Sequence, residues 1–241
     1  MEAEPRLRFS RNAPFGANYY NLRLTYTLWY DKIYSVDINQ RKGDEHMNKY
    51  DLLDNLVSKG NGYLQASVAA ENNISRQVLS KYVMTRGMER IMRGVYITEE
   101  VWPDDYYLLF LRNNRIVFSF ESSLYLHGLM DREPSKTTVT VPEGYNSSHI
   151  QNAHVLHSKK EKYELGTTSI KTSFGNEVPV YDMERTICDI IIKKQKIEIQ
   201  TFQTAMQEYM RSKEKNLGRL LYYAQQLGIE KEVRTYTEVM L

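Results

Sequence analysis

The residues best able to do chemistry lie between Ser75 and Gly94. Long hydrogen-bond donors and cations are concentrated there, namely Arg76, Gln77, Lys81, Arg86, Arg90 and Arg93, against the single acid Glu89. Such side chains bond base edges in the major groove and contact flanking phosphates. The segment therefore indicates nucleic-acid binding. A helix whose polar face only meets water, or a domain of this type that binds protein, would have the same composition.

A capped helix must carry the first part of this segment. Ser75 follows the break at Asn72–Ile74 and can cap the first turn of a helix. Gly87 then suits the position after the end of this helix, where a left-handed residue is usual. At 100° per residue, the apolar side chains fall on one face: Val78, Leu79, Tyr82 and Val83. The opposite face contains no acid and holds Arg76, Gln77, Ser80, Lys81 and Met84.

A two-stranded ribbon must carry the second part. The segments 89–92 and 95–97 flank Arg93-Gly94, which suits a two-residue hairpin turn. Two more helices precede the ribbon and the capped helix: Lys49–Lys59, and one that includes Leu64, Val68 and Ala69. This order predicts a winged helix-turn-helix over residues 47–98. We assign its DNA contacts to Ser75, Arg76, Gln77, Ser80 and Lys81 on the helix, and to Arg86, Arg90 and Arg93 for phosphates.

Composition limits the other possibilities. The chain has 241 residues and a formal net charge of +2, so any nucleic-acid site is a local patch. One cysteine, Cys188, allows no internal disulfide and no thiolate cluster for zinc, which favours the cytoplasm. No membrane-spanning apolar run and no export signal are visible. We expect no metal and no cofactor.

The remaining chain falls into two parts. Residues 1–46 are interpreted as an appended lead or a poorly ordered extension, since Met47 opens the first well-patterned helix. A real extension that pairs with a sheet is the alternative, because apolar residues alternate there at Leu22, Leu24, Tyr26 and Leu28. After a hinge at 98–105, residues 104–241 predict an α+β domain with a helical tail. Asp104 and Asp105 are interpreted as helix caps rather than metal ligands.

This second domain is expected to begin as sheet and end as helices. Strands are predicted at 115–120, 137–141, 153–157, 169–172 and 177–181, with a short helix at 121–127. From Met183 onward, helical periodicity predicts a buried apolar stripe, with Glu184, Arg185 and Asp189 on the other face. Lys193, Lys194 and Lys196 form a second basic cluster, interpreted either as a solvated helix end or as a further nucleic-acid contact.

An enzyme is the rival interpretation. Glu121, Ser122, Ser123 and His127 lie close in sequence, and a serine with a base can act as a nucleophile. On one short helix, however, these groups would not all converge. The histidines His149, His154 and His157 are expected in the core or at the surface. We therefore predict a protein without enzymatic activity. The alternatives are a protein-interaction module, or an enzyme that acts on nucleic acid or nucleotide and is targeted by the winged domain.

The chain also resembles a known family, the AbiEi antitoxins of type IV toxin-antitoxin and abortive-infection systems. The similar segments occur in order and are MNKYDLLDNLVSKGNGYLQ, ISRQVLSKYVMTRGMERIMRGVYI, SFESSLYLHGL with TTVTVPEG, and VYDMERTICDII. Phe120 departs from the pattern, because the family often has histidine there. Residues 1–46 have no counterpart.

The resemblance implies a bacterial phage-defence operon. The N-terminal domain would repress its own promoter by binding double-stranded DNA, and inverted repeats there would require two molecules. The C-terminal domain would counteract a nucleotidyltransferase toxin without a stable complex. No membrane is implied.

Overall fold

The computed structural model describes residues 48–240 of the chain. Within that range the fold is mixed α+β, with ten α-helices, one short 3₁₀-helix and two sheets. The expectations for residues 1–46, including the alternating strand, lie outside the described residues. The predicted α+β class is confirmed at this level.

The elements follow one another as helices around a small sheet, then a larger sheet, then helices. The helices are α1 (Lys49–Lys59), α2 (Ala66–Glu71), α3 (Arg76–Thr85), α4 (Asp105–Arg112), α5 (Phe120–Leu126), α6 (Lys160–Glu164), α7 (Met183–Ile192), the 3₁₀-helix (Lys194–Lys196), α8 (Ile199–Arg211), α9 (Leu217–Leu227) and α10 (Glu230–Met240). The strands are β1 (Tyr63–Gln65), β2 (Glu89–Met92), β3 (Val95–Ile97), β4 (Val117–Phe118), β5 (Thr137–Pro142), β6 (Ala153–Ser158), β7 (Thr167–Lys171) and β8 (Glu177–Tyr181).

The first unit packs α1, α2 and α3 around a three-stranded antiparallel sheet in the order β1-β3-β2. Its core contains buried side chains from each helix, including Leu53, Val68 and Tyr82. The sequence predicted that the helix before the turn includes Leu64, and this was wrong. The chain reverses at Gly62, which has a φ of +84°, and Tyr63–Gln65 then pairs with β3 before α2 begins.

The second unit is built on a mixed five-stranded sheet in the order β6-β5-β4-β8-β7. Four of the five predicted strands occur within a few residues of their expected positions. The strand expected at 115–120 is shorter, because Phe120 takes a φ of +50° and opens α5. Helix α6 was not predicted, since its five residues carry little periodicity.

Helix α7 differs from its prediction in a way that matters chemically. Glu184, Arg185 and Asp189 were expected opposite the buried stripe, but all three are at most 6% exposed. The reason is that α7 contacts α5, α8, α9 and α10, so it has no face toward water from Glu184 to Ile191. Arg185 pairs with Asp189 at 3.0 Å, and Glu184 accepts hydrogen bonds from Tyr209 Oη and the Asn216 backbone. The predicted local pairing is therefore present, but it is buried.

The two units share a core and a polar contact. Tyr63, Val95 and Ile97 belong to the same hydrophobic cluster as Tyr106 and Phe110 of α4. Beside it, Asn61 donates to the Gly175 carbonyl oxygen at 3.0 Å. The domain boundary that we placed between residues 98 and 104 stays a prediction. The two units on either side of it pack directly on one another.

Candidate nucleic-acid interface

The turn between α2 and α3 positions the start of the candidate surface. Asn73 takes a φ of +59°, and the Ile74 amide donates to the Ala69 carbonyl oxygen, which buries Ile74 beneath the turn. Ser75 then caps α3, because its hydroxyl accepts a hydrogen bond from the Val78 amide at 3.4 Å. The predicted cap is confirmed. It fixes where the helix begins and therefore which residues share a face.

Helix α3 has one buried and one exposed face. Leu79 and Tyr82 are at most 5% exposed, and Val78 and Val83 are partly buried against the same cluster. The opposite side chains are all exposed, and they are Arg76, Gln77, Ser80, Lys81 and Met84. Ser75 is exposed at the head of the helix. The structure therefore exposes every predicted helix residue, and Arg76, Gln77, Ser80 and Lys81 share one face that no described residue covers.

The predicted ribbon is present and directly follows this helix in the chain. Strands β2 and β3 pair antiparallel, and Gly94, the second residue of the turn, takes a left-handed φ of +77°, which glycine adopts readily. The Gly94 carbonyl oxygen accepts a hydrogen bond from the Ala66 amide at 2.7 Å, which ties the turn to the start of α2. Arg90 and Arg93 are both exposed. Their guanidinium groups are thus carried on a ribbon that is attached to the helical part of the unit.

Arg86, the third predicted phosphate contact, has an acidic partner. Its guanidinium is hydrogen-bonded to the Asp54 carboxylate of α1, and the same carboxylate accepts from Tyr82 Oη at 2.6 Å. These contacts raise the pKa of Arg86, because the charged form is stabilised by the carboxylate. Both partners remain about half exposed, at 49% for Arg86 and 42% for Asp54. Asp54 therefore offsets part of the charge that Arg86 presents.

For two side chains of this surface, Asp54 and Met84, the structure shows a contact or an exposure that the sequence did not predict. Asp54 lies in α1, far from Arg86 in sequence, and nothing in the spacing connects the two. Met84 appears in the sequence as one member of a polar face, but its 78% exposure marks it as an uncovered apolar side chain among donors. The available signal for Met84 was its helical position beside Gln77 and Ser80.

The second basic cluster is engaged within the fold. Lys193 is partly buried and lies 4.7 Å from the centre of the Phe120 ring, and burial lowers its pKa. Lys194 donates to Tyr236 Oη at 2.7 Å and lies over the Phe202 ring. Lys196 is exposed. Lys193 thus contacts α5 and Lys194 contacts the helical tail, and this engagement of two of the three cations weakens the interpretation of the cluster as a shared binding patch.

The serines Ser122 and Ser123 and the histidine His127 of the rival interpretation are hydrogen-bonded to the backbone. Ser122 Oγ accepts from the Thr138 amide at 2.8 Å, and Ser123 Oγ donates to the Tyr181 carbonyl oxygen at 2.9 Å. His127 Nε2 lies 2.7 Å from that same carbonyl oxygen. The structure brings Ser123 and His127 together, but it directs both toward Tyr181 rather than toward each other, and burial lowers the pKa of His127. This arrangement joins α5 to the end of β8.

The remaining candidates are scattered. His154 and His157 are exposed on β6, and His149 lies beside Tyr145 on the preceding loop. Asp104 caps α4 by accepting from the Tyr107 amide at 3.1 Å, as predicted. Within residues 48–240, no three histidine, cysteine or acidic side chains group as metal ligands. Over the same range, no helix has the length and apolarity needed to cross a membrane.

Comparisons with known proteins do not show a family for this chain. No family model matches the chain, and no curated protein is significantly similar to it. Among solved structures, the chain is similar to a crystal structure of the RV2827C protein from Mycobacterium tuberculosis, with a TM-score of 0.46 and 11% identity over 76% of this chain and 73% of that one. Likeness at this level does not identify a shared function.

Proposed function

We propose that residues 49–97 form a winged helix-turn-helix and that the chain represses its own promoter by binding double-stranded DNA. In this proposal α2 and α3 are the helix-turn-helix, α3 is the recognition helix and the β2–β3 ribbon is the wing. The observation that carries the proposal is the exposed, acid-free face of α3 beside a ribbon with exposed arginines. A helix of this size fits the major groove, and a wing beside it meets the flanking backbone.

Bases are read by the exposed face of α3. Arg76, Gln77 and Lys81 carry donors long enough to reach base edges, and the Ser80 hydroxyl can both donate and accept. Arginine can bond two acceptors of one guanine, and glutamine can bond the donor and acceptor of one adenine. Each such pair discriminates by about 1–3 kcal/mol against the wrong base. Because these side chains start from a capped, rigid helix, their register along the groove is fixed.

Phosphates are contacted by the wing. Arg90 and Arg93 are exposed and form no ion pair with another residue of the described range, whereas Arg86 supplies charge that Asp54 partly offsets. Contacts of this kind set affinity and its dependence on salt, and they do not distinguish sequences. We therefore rank Arg93 and Arg90 above Arg86 as phosphate contacts. Lys193, Lys194 and Lys196 are not needed for this interface.

We further propose that the chain is an antitoxin of the AbiEi type that acts in the bacterial cytoplasm. The support is the ordered resemblance, which runs through both units and includes the ERTICD segment of α7. The C-terminal unit then counteracts a nucleotidyltransferase toxin without forming a stable complex with it. No catalytic group and no cofactor are part of this proposal, and the hydrogen bonding of Ser122, Ser123 and His127 to the backbone supports that choice.

The repressor role is tested by band-shift with DNA from directly upstream of the chain's own gene. We expect the full chain to bind this DNA in preference to a scrambled duplex, with affinity that falls steeply as salt is raised. The variant Arg93→Gln should bind more weakly, and the matched control Arg211→Gln, an exposed arginine on α8, should bind as the wild type does. Equal affinity for upstream and scrambled DNA would reject the repressor role.

The antitoxin role is tested separately in cells that express the nucleotidyltransferase toxin. If the two roles reside in different units, a full-length variant with Arg76, Lys81 and Arg93 changed to alanine should lose promoter binding and still restore growth. Failure of the wild-type chain to restore growth would reject the antitoxin role and leave the repressor role standing.

A further inference from the structure

We propose that Met84 reads the C5 methyl group of a thymine in the major groove. This inference rests on the proposed function and adds a specificity-determining residue to it. An exposed hydrophobic side chain is ordinary by itself, so its position on α3 has to carry the inference. Met84 is 78% exposed, and no described residue covers it.

Around the axis of α3, Met84 lies in the middle of the exposed face rather than at its edge, and along the axis it lies in the last turn. At 100° per residue, the donors Arg76 and Lys81 bound an arc of about 140°, and Met84 falls near its centre, between Ser80 and Gln77. A ligand that follows this face as far as the last turn of α3, one turn beyond Ser80, therefore also meets Met84. Of the groups on a base edge in the major groove, the thymine methyl is the apolar one, and it contacts apolar side chains.

The chemistry of methionine suits this contact. Its side chain is unbranched and polarisable, so it can follow a methyl group whose position depends on the local geometry of the duplex. Desolvating one methyl-sized group is worth about fourfold in affinity. The flanking cations bring the helix to the anionic duplex, and Met84 adds an apolar contact that distinguishes thymine from cytosine at one position.

The experiment replaces each thymine of the bound upstream DNA, one at a time, with deoxyuridine, which removes only the C5 methyl group. Dissociation constants are measured for full-length wild type, Met84→Leu and Met84→Gln. We expect the wild type to lose about fourfold at one thymine per half-site. Met84→Leu should also bind more weakly when the same thymine is replaced with deoxyuridine. Met84→Gln, of similar length but polar, should bind thymine and deoxyuridine equally at that position. The control Gln226→Ala, at an exposed position of α9, should reproduce the wild-type profile.

The outcomes separate this inference from the proposed function. If the wild type fails to bind upstream DNA, the proposed function and this inference both fall. If the wild type binds that DNA but tolerates deoxyuridine everywhere, or if Met84→Gln keeps the wild-type profile, only this inference is overturned. A change in self-association of Met84→Gln, measured by light scattering, with an unchanged thymine profile would instead make Met84 a protein contact and overturn it as well.

Discussion

Asp54 of α1 holds Arg86, the residue that follows α3, through an ion pair that crosses from the first helix of the unit to the end of the candidate recognition helix. The same carboxylate accepts a hydrogen bond from the Tyr82 hydroxyl, so one acid both holds a buried ring and pairs with a cation of the candidate surface. A negative charge at this place lowers the attraction of the surface for phosphates.

Removing that charge should strengthen DNA binding. Asp54→Asn keeps an oxygen acceptor for Tyr82 and releases Arg86, and a unit charge about 7 Å from a phosphate in water is worth ~0.6 kcal/mol, or about threefold in affinity. Titrations of upstream and scrambled DNA should show the same gain for both. The exposed pair contributes little to stability, so the urea midpoint should change only slightly. Unchanged or weaker binding by Asp54→Asn would contradict the arrangement.

Lys81 and Arg93 should have different roles in the complex. Lys81→Ala should alter which sequences are preferred, because Lys81 lies on the exposed face of α3 that we propose to read bases. Arg93→Ala should weaken binding to all duplexes by a similar factor and reduce the slope of log K against log salt by about 0.9, the value for one phosphate contact. Competition with single-base variants of the operator measures the first effect, and titration over several salt concentrations measures the second. A promoter footprint that is unchanged in both variants would reject these assignments.

Asp104 should be the most stabilising carboxylate at the junction of the two units. It is buried, caps α4 and accepts from Thr172 Oγ1 at 2.6 Å and Asn176 Nδ2 at 2.8 Å. Asp104→Ala removes the cap and leaves two buried donors without this partner, at a combined cost of about 2–4 kcal/mol. The control Asp105→Ala, an exposed residue in the same first turn, should cost less than ~1 kcal/mol. Urea unfolding of both variants makes the comparison, and similar losses would contradict the prediction.

Local sequence signals predicted the candidate surface well. The cap at Ser75, the closing glycine at Gly87 and the turn at Arg93-Gly94 each depend on a few neighbouring residues, and each was confirmed. The same is true of the exposed and buried faces of α3. What the spacing missed was the acid opposite Arg86, since Asp54 is brought there only by the packing of α1 on α3.

Periodicity failed where an element is covered on more than one side. The apolar stripe of α7 predicted one neighbour and a polar face in water, but the helix is surrounded and its polar side chains are buried. The Arg185 guanidinium donates hydrogen bonds to the Asp189 carboxylate and to the Lys162 and Leu165 carbonyl oxygens. The Tyr181 ring lies beneath the same guanidinium. Strand β1 was missed for a related reason, because three residues carry no period and the strand is specified by pairing with β3.

His127 should make the stability of the fold sensitive to mildly acidic pH. Burial lowers its pKa below the usual 6.5, and this outweighs the opposite effect of the nearby Asp182 and Glu184 carboxylates. Directly below pH 6.5 the unfolded chain therefore binds a proton that the folded chain does not, so the free energy of unfolding decreases as pH falls through that range.

The variant His127→Gln removes this titration and can still donate to the Tyr181 carbonyl oxygen. We expect the difference in unfolding free energy between wild type and His127→Gln to shift by up to ~1 kcal/mol against the wild type from pH 7 to pH 5.5. Asp182, whose pKa burial raises, is common to both proteins and largely cancels in the difference. The control His154→Gln, at an exposed position of β6, should run parallel to the wild type in urea unfolding at each pH. A pH-independent difference for His127→Gln would contradict the prediction, because it would mean that His127 has the same pKa in the folded and the unfolded chain.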